Sequence, residues 1–318
     1  MKVLVIGGSG FIGTRLVDEL LEQGHEVSIF DVNRSEKYPH LTQQSDVRSL
    51  KDLKAATEGK DAIYNLAAEH RDDVTPLSLY HDVNVEGAKN TVEAAKANGI
   101  KRIIFTSTVA IYGLNKDCPD ENFPAEPFNE YGKTKWEAEK IFKAWKDSDD
   151  GHSLSILRPA VVFGEGNRGN VYNLIAQINT GRFIMIGNGQ NKKSMGYVGN
   201  IANFLSLLIH HSGYAVYNFC DKPDLTSTDI TNTIAAGLGK SLPRFKLPLF
   251  VGMVAGSMFD LVAKLSGKKF PISVIRIKKF AAGTTISTDT LINSGYQPKY
   301  SLQEGINRMI ECDFKKET

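Results

Sequence analysis

The chain predicts an α/β fold, a doubly wound parallel sheet with a smaller, mostly helical C-terminal cap. Three observations carry that prediction. Short β-branched runs alternate with amphipathic helical patterns through the first half. Three glycines, Gly7, Gly10 and Gly13, stand where the first such run gives way to a helix. Beyond Pro159 the alternation loosens into loops rich in glycine and asparagine, "FGEGNRGN" and "GNGQN", and then into largely helical sequence punctuated by prolines.

Taken in order, "KVLVI" is continuous and β-branched, the pattern of a strand buried on both faces. "TRLVDELLEQG" repeats its apolar positions at helical spacing and stops at Gly24. "EVSIFD", "AIYNLAA", "RIIFTST" and "LSILRP" read as further strands with helices between them. The expected division is a first domain over residues 1–160, with returning segments near 195–225, and a cap over 161–318. The cap would cover the C-terminal edge of the sheet, where open α/β sheets bind ligands.

Bulk properties narrow the function. A chain of 318 residues is long enough for a large core, and a formal charge of +2 with scattered basic residues does not suggest a nucleic-acid partner. Cys118, Cys220 and Cys312 lie far apart with no CxxC pair, which points to neither a disulfide framework nor a metal site and fits a reducing cytoplasm. The N-terminus reads as a strand, so no signal peptide is expected. The most apolar stretch, "LPLFVGMVAGSMFDLVAKL", is interrupted by Asp260 and falls short of a membrane span.

The glycine trio has a chemical reading. Gly7 allows a tight turn, Gly10 lets backbone N–H groups approach a ligand, and Gly13 lets helix and strand pack closely. A helix N-terminus favours an anion, so a pyrophosphate is the natural occupant; a packing turn without ligand is the rival. Asp31 follows Gly13 by eighteen residues at the end of the second strand. A carboxylate there accepts hydrogen bonds from ribose hydroxyls and repels a 2′-phosphate, which favours NAD over NADP, although Arg34 argues the other way. Tyr131 and Lys135 lie four apart at the start of a helix, on one face of it. A free tyrosine has a pKa near ~10, and a neighbouring ammonium lowers it. Thr106, Ser107 and Thr108 place hydroxyls at a strand's C-terminal end, where a substrate oxygen needs a hydrogen bond.

Gly7-x-x-Gly10-x-x-Gly13, Asp31, "SDV" at Asp46, "NLAA" at Asn65–Ala68, "NVEGAKNTVEAA", Thr108, Tyr131-x-x-x-Lys135 and "LRPAVVFG" occur in this order. Together they resemble the extended short-chain dehydrogenase/reductase superfamily, in its nucleotide-sugar epimerase/dehydratase branch. The resemblance covers essentially the whole chain, including "GYQPKYSLQEGI". It implies a Rossmann-type fold and NAD as cofactor. It also implies that Gly7, Gly10, Phe11 and Ile12 hold the pyrophosphate, Asp31 the adenosine ribose, and that Asp46 and Val47 flank the adenine. Leu66, Ala67, Ala68, Asn84, Thr106 and Pro159 would line the path to the nicotinamide, with Tyr131 and Lys135 also against the cofactor. Thr108, Tyr131 and Lys135 would be catalytic.

Among the reactions of this branch, 4,6-dehydratases carry an Asp-Glu pair after the catalytic Thr; Val109 and Ala110 stand there instead and cannot move protons. A sugar 4-epimerase, working through a transient 4-keto sugar, needs only the Thr, Tyr and Lys, and so does a 4-ketosugar reductase; the triad does not separate them. On the substrate side, Val161 replaces a family asparagine, while Lys193 and Asn200 replace a family arginine and aspartate in "KSMGYVGN". Asn170 matches a residue that contacts a sugar diphosphate, and Lys192 or Lys193 would neutralise it; Thr108 would also contact the sugar. "AAEHRDDV", "RGNVYNL" and "KSMGYVGNI" resemble bacterial epimerases that act on N-acetylglucosamine attached to undecaprenyl diphosphate, at the start of O-antigen assembly. The substrate is therefore expected to be a sugar diphosphate, lipid-linked or nucleotide-linked. The apolar segment Leu247 to Phe259, flanked by Lys246, Lys264, Lys268 and Lys269, would make a peripheral contact at the inner face of the cell membrane, or else pack in the cap or a dimer interface. His70, Arg71 and Asp72 would shape the pocket or form a salt-bridge cluster, and a homodimer is the expected assembly.

Overall fold

The protein is described by a computed structural model over residues 1–71, 74–266 and 274–315. Seven strands form one parallel sheet: β1 (Lys2–Ile6), β2 (Glu26–Asp31), β3 (Thr42–Gln44), β4 (Ala62–Asn65), β5 (Arg102–Thr106), β6 (Ser153–Pro159) and β7 (Tyr214–Phe219). Their order is β7-β6-β5-β4-β1-β2-β3, and every pairing is parallel. The order reverses between β1 and β4, and the C-terminal ends of strands at such a reversal are where open α/β sheets bind ligands. Four helices matter for the site: α1 (Phe11–Glu22), α2 (Leu50–Thr57), α3 (Gly87–Ala97) and α4 (Glu130–Asp147).

Strand alternation explains the unbroken apolar run of β1. Val3 and Val5 point into one core with Leu16, Leu20, Ile29 and Phe204; Leu4 and Ile6 point into the other with Phe30, Ile63, Phe142 and Trp145. Each face is covered, so no position of the strand interior faces water. α1 ends where the sequence stops it, with Gly24 at φ +78° just beyond the helix.

Two compact units make up the chain. The first contains Met1–Val162, Gly196–Cys220 and Ile286–Tyr300. The sequence assigns the last of these segments to the cap. It joins the first unit because Leu291 enters the core, Tyr296 packs on Phe204 and Phe219, and Asn200 fastens Tyr300 through both its backbone groups. β3 and β7 are not among the strands read from the sequence. β3 reads "TQQ", with no apolar pattern, and exists through its pairing with β2.

The second unit comprises the described residues of Phe163–Met195, Asp221–Thr285 and Ser301–Thr318. Helices Ser227–Leu238 and Leu302–Phe314 each begin with a capping box, from Thr226 with Asp229 and from Ser301 with Glu304. They pack closely at Gly237, where a Cβ would meet Asn307 and Ile310 at 2.8 Å.

α1 approaches β1 closely through its third glycine. A Cβ on Gly13 would lie 2.2 Å from the Gly7 carbonyl oxygen and 2.7 Å from Gly8 Cα, both backbone atoms that cannot swing aside. A Cβ on Gly10 would meet only the Gly7 oxygen, at 3.3 Å. Gly13→Ala should therefore cost about 1–3 kcal/mol as overpacking, read as a lowered urea midpoint, and Gly10→Ala distinctly less. Equal losses at the two positions would contradict this packing account.

Candidate active site

The glycine turn is built by hydrogen bonds that leave the start of α1 open. Gly7, at φ +82°, donates its N–H to Phe30 O at 2.9 Å, and a Cβ there would lie 2.7 Å from Ala67 N. Gly10 N–H bonds Gly7 O at 3.2 Å. Gly10 caps α1 with no side-chain hydrogen bond, and no acidic residue occupies the first turn at Phe11, Ile12 and Gly13. Such an N-terminus, with a partial positive charge and no side chain over it, suits an anion. Asp31, at the end of β2, accepts from Ser9 N at 3.0 Å through Oδ2 and from Asn33 N at 2.9 Å through Oδ1. Its carboxylate thus clips the glycine turn, with a lone pair left on each oxygen. Arg34 turns to the Pro39 carbonyl, at 3.3 Å.

Around this turn the other cofactor candidates take distinct places. Asp46 is gripped by Arg48 through Nε and Nη2, which holds its carboxyl below the usual range. Val47 is a core residue whose methyls abut Gly87. Leu66 N–H bonds Ile6 O, Leu66 and Ala67 pack on opposite cores, and Ala68 is half-buried. Asn84 lies in a π-turn at Asp82–Glu86; it accepts from Glu69 N at 2.8 Å and donates to Glu69 O and Thr134 Oγ1, both at 3.0 Å. Arg71 pairs with Glu69, His70 is exposed, and Asp72 lies outside the described residues. At the C-terminal ends of β4 and β5, Asn65 Oδ1, Thr106 Oγ1 and Ser107 Oγ are buried without a protein partner, while Pro159 closes β6. The uncapped glycine turn, the acid at the end of β2 and these orphaned polar atoms fit a bound dinucleotide.

α4 places the catalytic candidates. Its N-cap, Asn129, accepts from Gly132 N at 2.9 Å. Gly132 lets the helix close on the turn after β5: a Cβ there would lie 2.8 Å from Ala110 O. That turn, Val109–Tyr112, starts at Thr108, whose Oγ1 accepts from Ala110 N at 3.2 Å. The Thr108 hydroxyl also faces the Tyr131 phenol. Burial pushes the Tyr131 phenol up to about 12, and the Thr108 hydroxyl works against it by favouring the phenolate. Lys135 is 1% exposed, with Nζ 4.0 Å from the Phe105 ring centroid. Burial pulls it down to about 7, opposed by the Glu139 carboxylate.

The structure thus sets Thr108 against the start of α4 and carries Tyr131 and Lys135 on that helix, all in the first unit. Asn170 and Lys193 belong to the second. Asn170 is the exposed first residue of helix Asn170–Asn179. Lys193 donates from Nζ to Ala282 O at 2.5 Å, and burial lowers it to about 8. Lys192 is exposed. Sequence reading missed Thr134, Glu139 and Arg158. Gly132 in a first helical turn is a legible sign of close approach; Glu139 and Arg158 give none, since pairing across nineteen residues has no local signature.

A dinucleotide fold with a Tyr-Lys helix defines a class of oxidoreductase-type catalysts, and comparison with known proteins narrows it. Residues 3–220 match the model of the NAD dependent epimerase/dehydratase family, and the chain belongs to that family. It is 47% identical over 316 residues to the N-acetyl-alpha-D-glucosaminyl-diphospho-ditrans,octacis-undecaprenol 4-epimerase of Escherichia coli O157:H7, covering 98% of this chain and 95% of that protein. It is 27% identical to the UDP-glucose 4-epimerase of Vibrio cholerae, over 98% of this chain and 95% of that one. The fold is shared with the Thermus thermophilus UDP-glucose 4-epimerase in complex with NAD, at a TM-score of 0.77 and 22% identity, with all of both chains covered.

Removing the Thr108 hydroxyl isolates its effect on the Tyr131 phenol. Thr108→Val should raise the Tyr131 pKa and move the acidic limb of turnover against pH upward by about one unit. A limb that stays in place would remove Thr108 from contact with Tyr131.

Proposed function

We propose that the protein is an NAD-dependent sugar 4-epimerase that inverts C4 of N-acetylglucosamine carried on undecaprenyl diphosphate, for surface polysaccharide synthesis. The observation that carries this reading is the 47% identity, over 98% of the chain, to an epimerase named for that substrate. Val109 and Ala110 after Thr108 support epimerisation over dehydration, because neither moves a proton.

NAD, when bound, supplies reversible hydride acceptance at C4. Gly7, Gly10, Phe11 and Ile12 hold its pyrophosphate at the open start of α1, and Asp31 takes the adenosine ribose. Asp46 and Val47 flank the adenine. Leu66, Ala67, Ala68, Asn84, Thr106 and Pro159 line the nicotinamide side. Tyr131 takes the C4 hydroxyl proton and returns it; Thr108 orients the same hydroxyl and bonds the phenolate. A phenol near 12 is a poor base at neutral pH, so the charge of Lys135 on the same helix face is needed to bring it within range. Asn170 and Lys193 serve the sugar diphosphate.

Two experiments test this reading. Matched N-acetylglucosamine substrates, linked to UDP or to undecaprenyl diphosphate, should show epimerisation of the lipid-linked sugar. Tyr131→Phe should lower kcat by several orders of magnitude with NAD still bound. Rapid turnover of the UDP-sugar alone would reassign the carrier, and turnover of Tyr131→Phe within a few-fold of the unsubstituted protein would remove the base.

A lipid-linked substrate places the protein at the cytoplasmic face of a membrane. Among the described residues no helix is long and apolar enough to cross one. Helix Leu249–Ser266 nevertheless exposes Phe250, Val254 and Met258, four residues apart along one face, beside exposed Leu249 and Phe245. This apolar face is the proposed membrane contact. Lys246 is exposed and donates to Asn188 O; the Lys264 side chain, Lys268 and Lys269 lie outside the described residues. Anionic liposomes should co-sediment the protein at low salt and release it at high salt. Phe250→Ser with Met258→Ser should weaken that binding about tenfold or more. A protein that ignores liposomes but loses its expected homodimer on these changes would assign the face to a second copy of the chain.

A further inference from the structure

We propose that the buried Glu139–Arg158 pair is a positioning device for Lys135: the Glu139 carboxylate keeps the lysine charged, and Arg158 limits how much of that carboxylate's field the lysine feels. The catalytic consequence rests on the epimerase reading above; the arrangement itself rests on geometry.

Lys135 and Glu139 lie one turn apart on α4, on the same face, at 1% and 2% exposure. The Phe105 ring under the ammonium offers a π face and no formal charge. An ammonium this buried tends to lose its proton. A neutral lysine would leave the Tyr131 oxygen without electrostatic support. Glu139 is held in a two-pronged bond, with Arg158 Nε donating to Oε1 at 3.0 Å and Nη2 to Oε2 at 2.6 Å. Arg158 Nη1 donates in turn to the Tyr112 oxygen at 2.8 Å and the Glu121 carbonyl at 2.9 Å, and the Tyr112 hydroxyl donates to Asn218 Oδ1 at 2.7 Å. The pair is therefore fixed from three elements, and it is 4% or less exposed.

Other charges around α4 are directed elsewhere. The Glu121 carboxylate accepts from Asn218 N and Thr290 Oγ1. On the 82–97 segment packed against α4, Asp82 acts on Arg48, while Glu86 with Lys89 and Glu93 with Lys96 pair at the surface. Tyr131, on the same helix, faces Thr108. Glu139 is thus the formal charge that acts on Lys135, and Arg158 is the cation that holds Glu139. A buried ion pair is weak as a stability device. Placing a charge one turn from a catalytic lysine is a use that stability does not explain.

The test follows Lys135 directly. In protein labelled with lysine ε-15N and saturated with NAD, the Lys135 resonance is assigned by its loss in Lys135→Met and titrated with pH. Its midpoint should fall by about one unit in Glu139→Gln and rise by about one unit in Arg158→Met. Glu139→Asp should restore it, and the alkaline limb of turnover against pH should follow the same order. An unchanged midpoint in Glu139→Gln overturns the inference, as do midpoints that move the same way in both variants. If Glu139→Gln does not fold, Arg158→Met decides alone: an unchanged or lowered midpoint there overturns it. The titration needs no substrate, so a failed epimerase assay leaves it readable and separates the two claims.

Discussion

The contact of α1 with β1 through backbone alone is the constraint on which the site depends. Gly13 brings the helix to van der Waals limit against the carbonyl of Gly7, and Gly7 can turn there only at positive φ. That closeness leaves the first turn of α1 aimed past the end of β1, at the point where strand order reverses. Asp31 then reaches back across from β2 to hold Ser9, so the acid and the turn fix each other. A side chain at Gly7 or Gly13 would disturb helix, turn and carboxylate together.

A second constraint is the burial of charge on α4. A lysine and a tyrosine placed inside a sheet edge both resist ionisation: the phenol is pushed up and the ammonium down. Each environment alone would disarm the pair. The helix answers by stacking acceptors and charges at intervals of one turn, with Tyr131, Lys135 and Glu139 on one stripe. Thr108 works in the same direction from the turn after β5, while Arg158 on β6 holds the Glu139 carboxylate and tempers it. On the proposed epimerase reading, the reactive group draws on α4, the turn after β5 and strand β6, so the register of β5 and β6 bears on chemistry as well as on packing.

Much of this is legible in the sequence because its causes are local. β1, β2 and α1 follow from residue type and period, and Gly7, Gly10 and Gly13 mark their junction without reference to anything distant. Tyr131 and Lys135 are four apart on a helix whose start, Asn129, is itself a capping residue. What escapes is non-local. β3 is a strand because β2 offers it an edge, and "TQQ" carries no apolar period. Residues Ile286–Tyr300 join the first unit through Tyr296 and Asn200, contacts 96 and 100 residues apart in the chain. Glu139 and Arg158 look like an ordinary helix acid and strand base until the fold joins them.

Asn200 shows how the same logic sorts departures from the family pattern. Where the pattern has aspartate, this asparagine donates to Tyr300 O at 2.7 Å and accepts from Tyr300 N at 3.0 Å. An aspartate can accept the N–H but has no proton for the carbonyl, so the amide completes a clasp that a carboxylate would leave half-made. The exchange anchors the returning segment to the first unit and says nothing about substrate. Lys193 differs in kind. It stands in the second unit with its ammonium on the Ala282 carbonyl and is lowered to about 8 by burial, a cation kept partly out of water where a lysine at a free surface would be solvated. Of the two neighbouring substitutions in "KSMGYVGN", the first sets a partly buried cation on a carbonyl of the second unit and the second fastens the chain within the first.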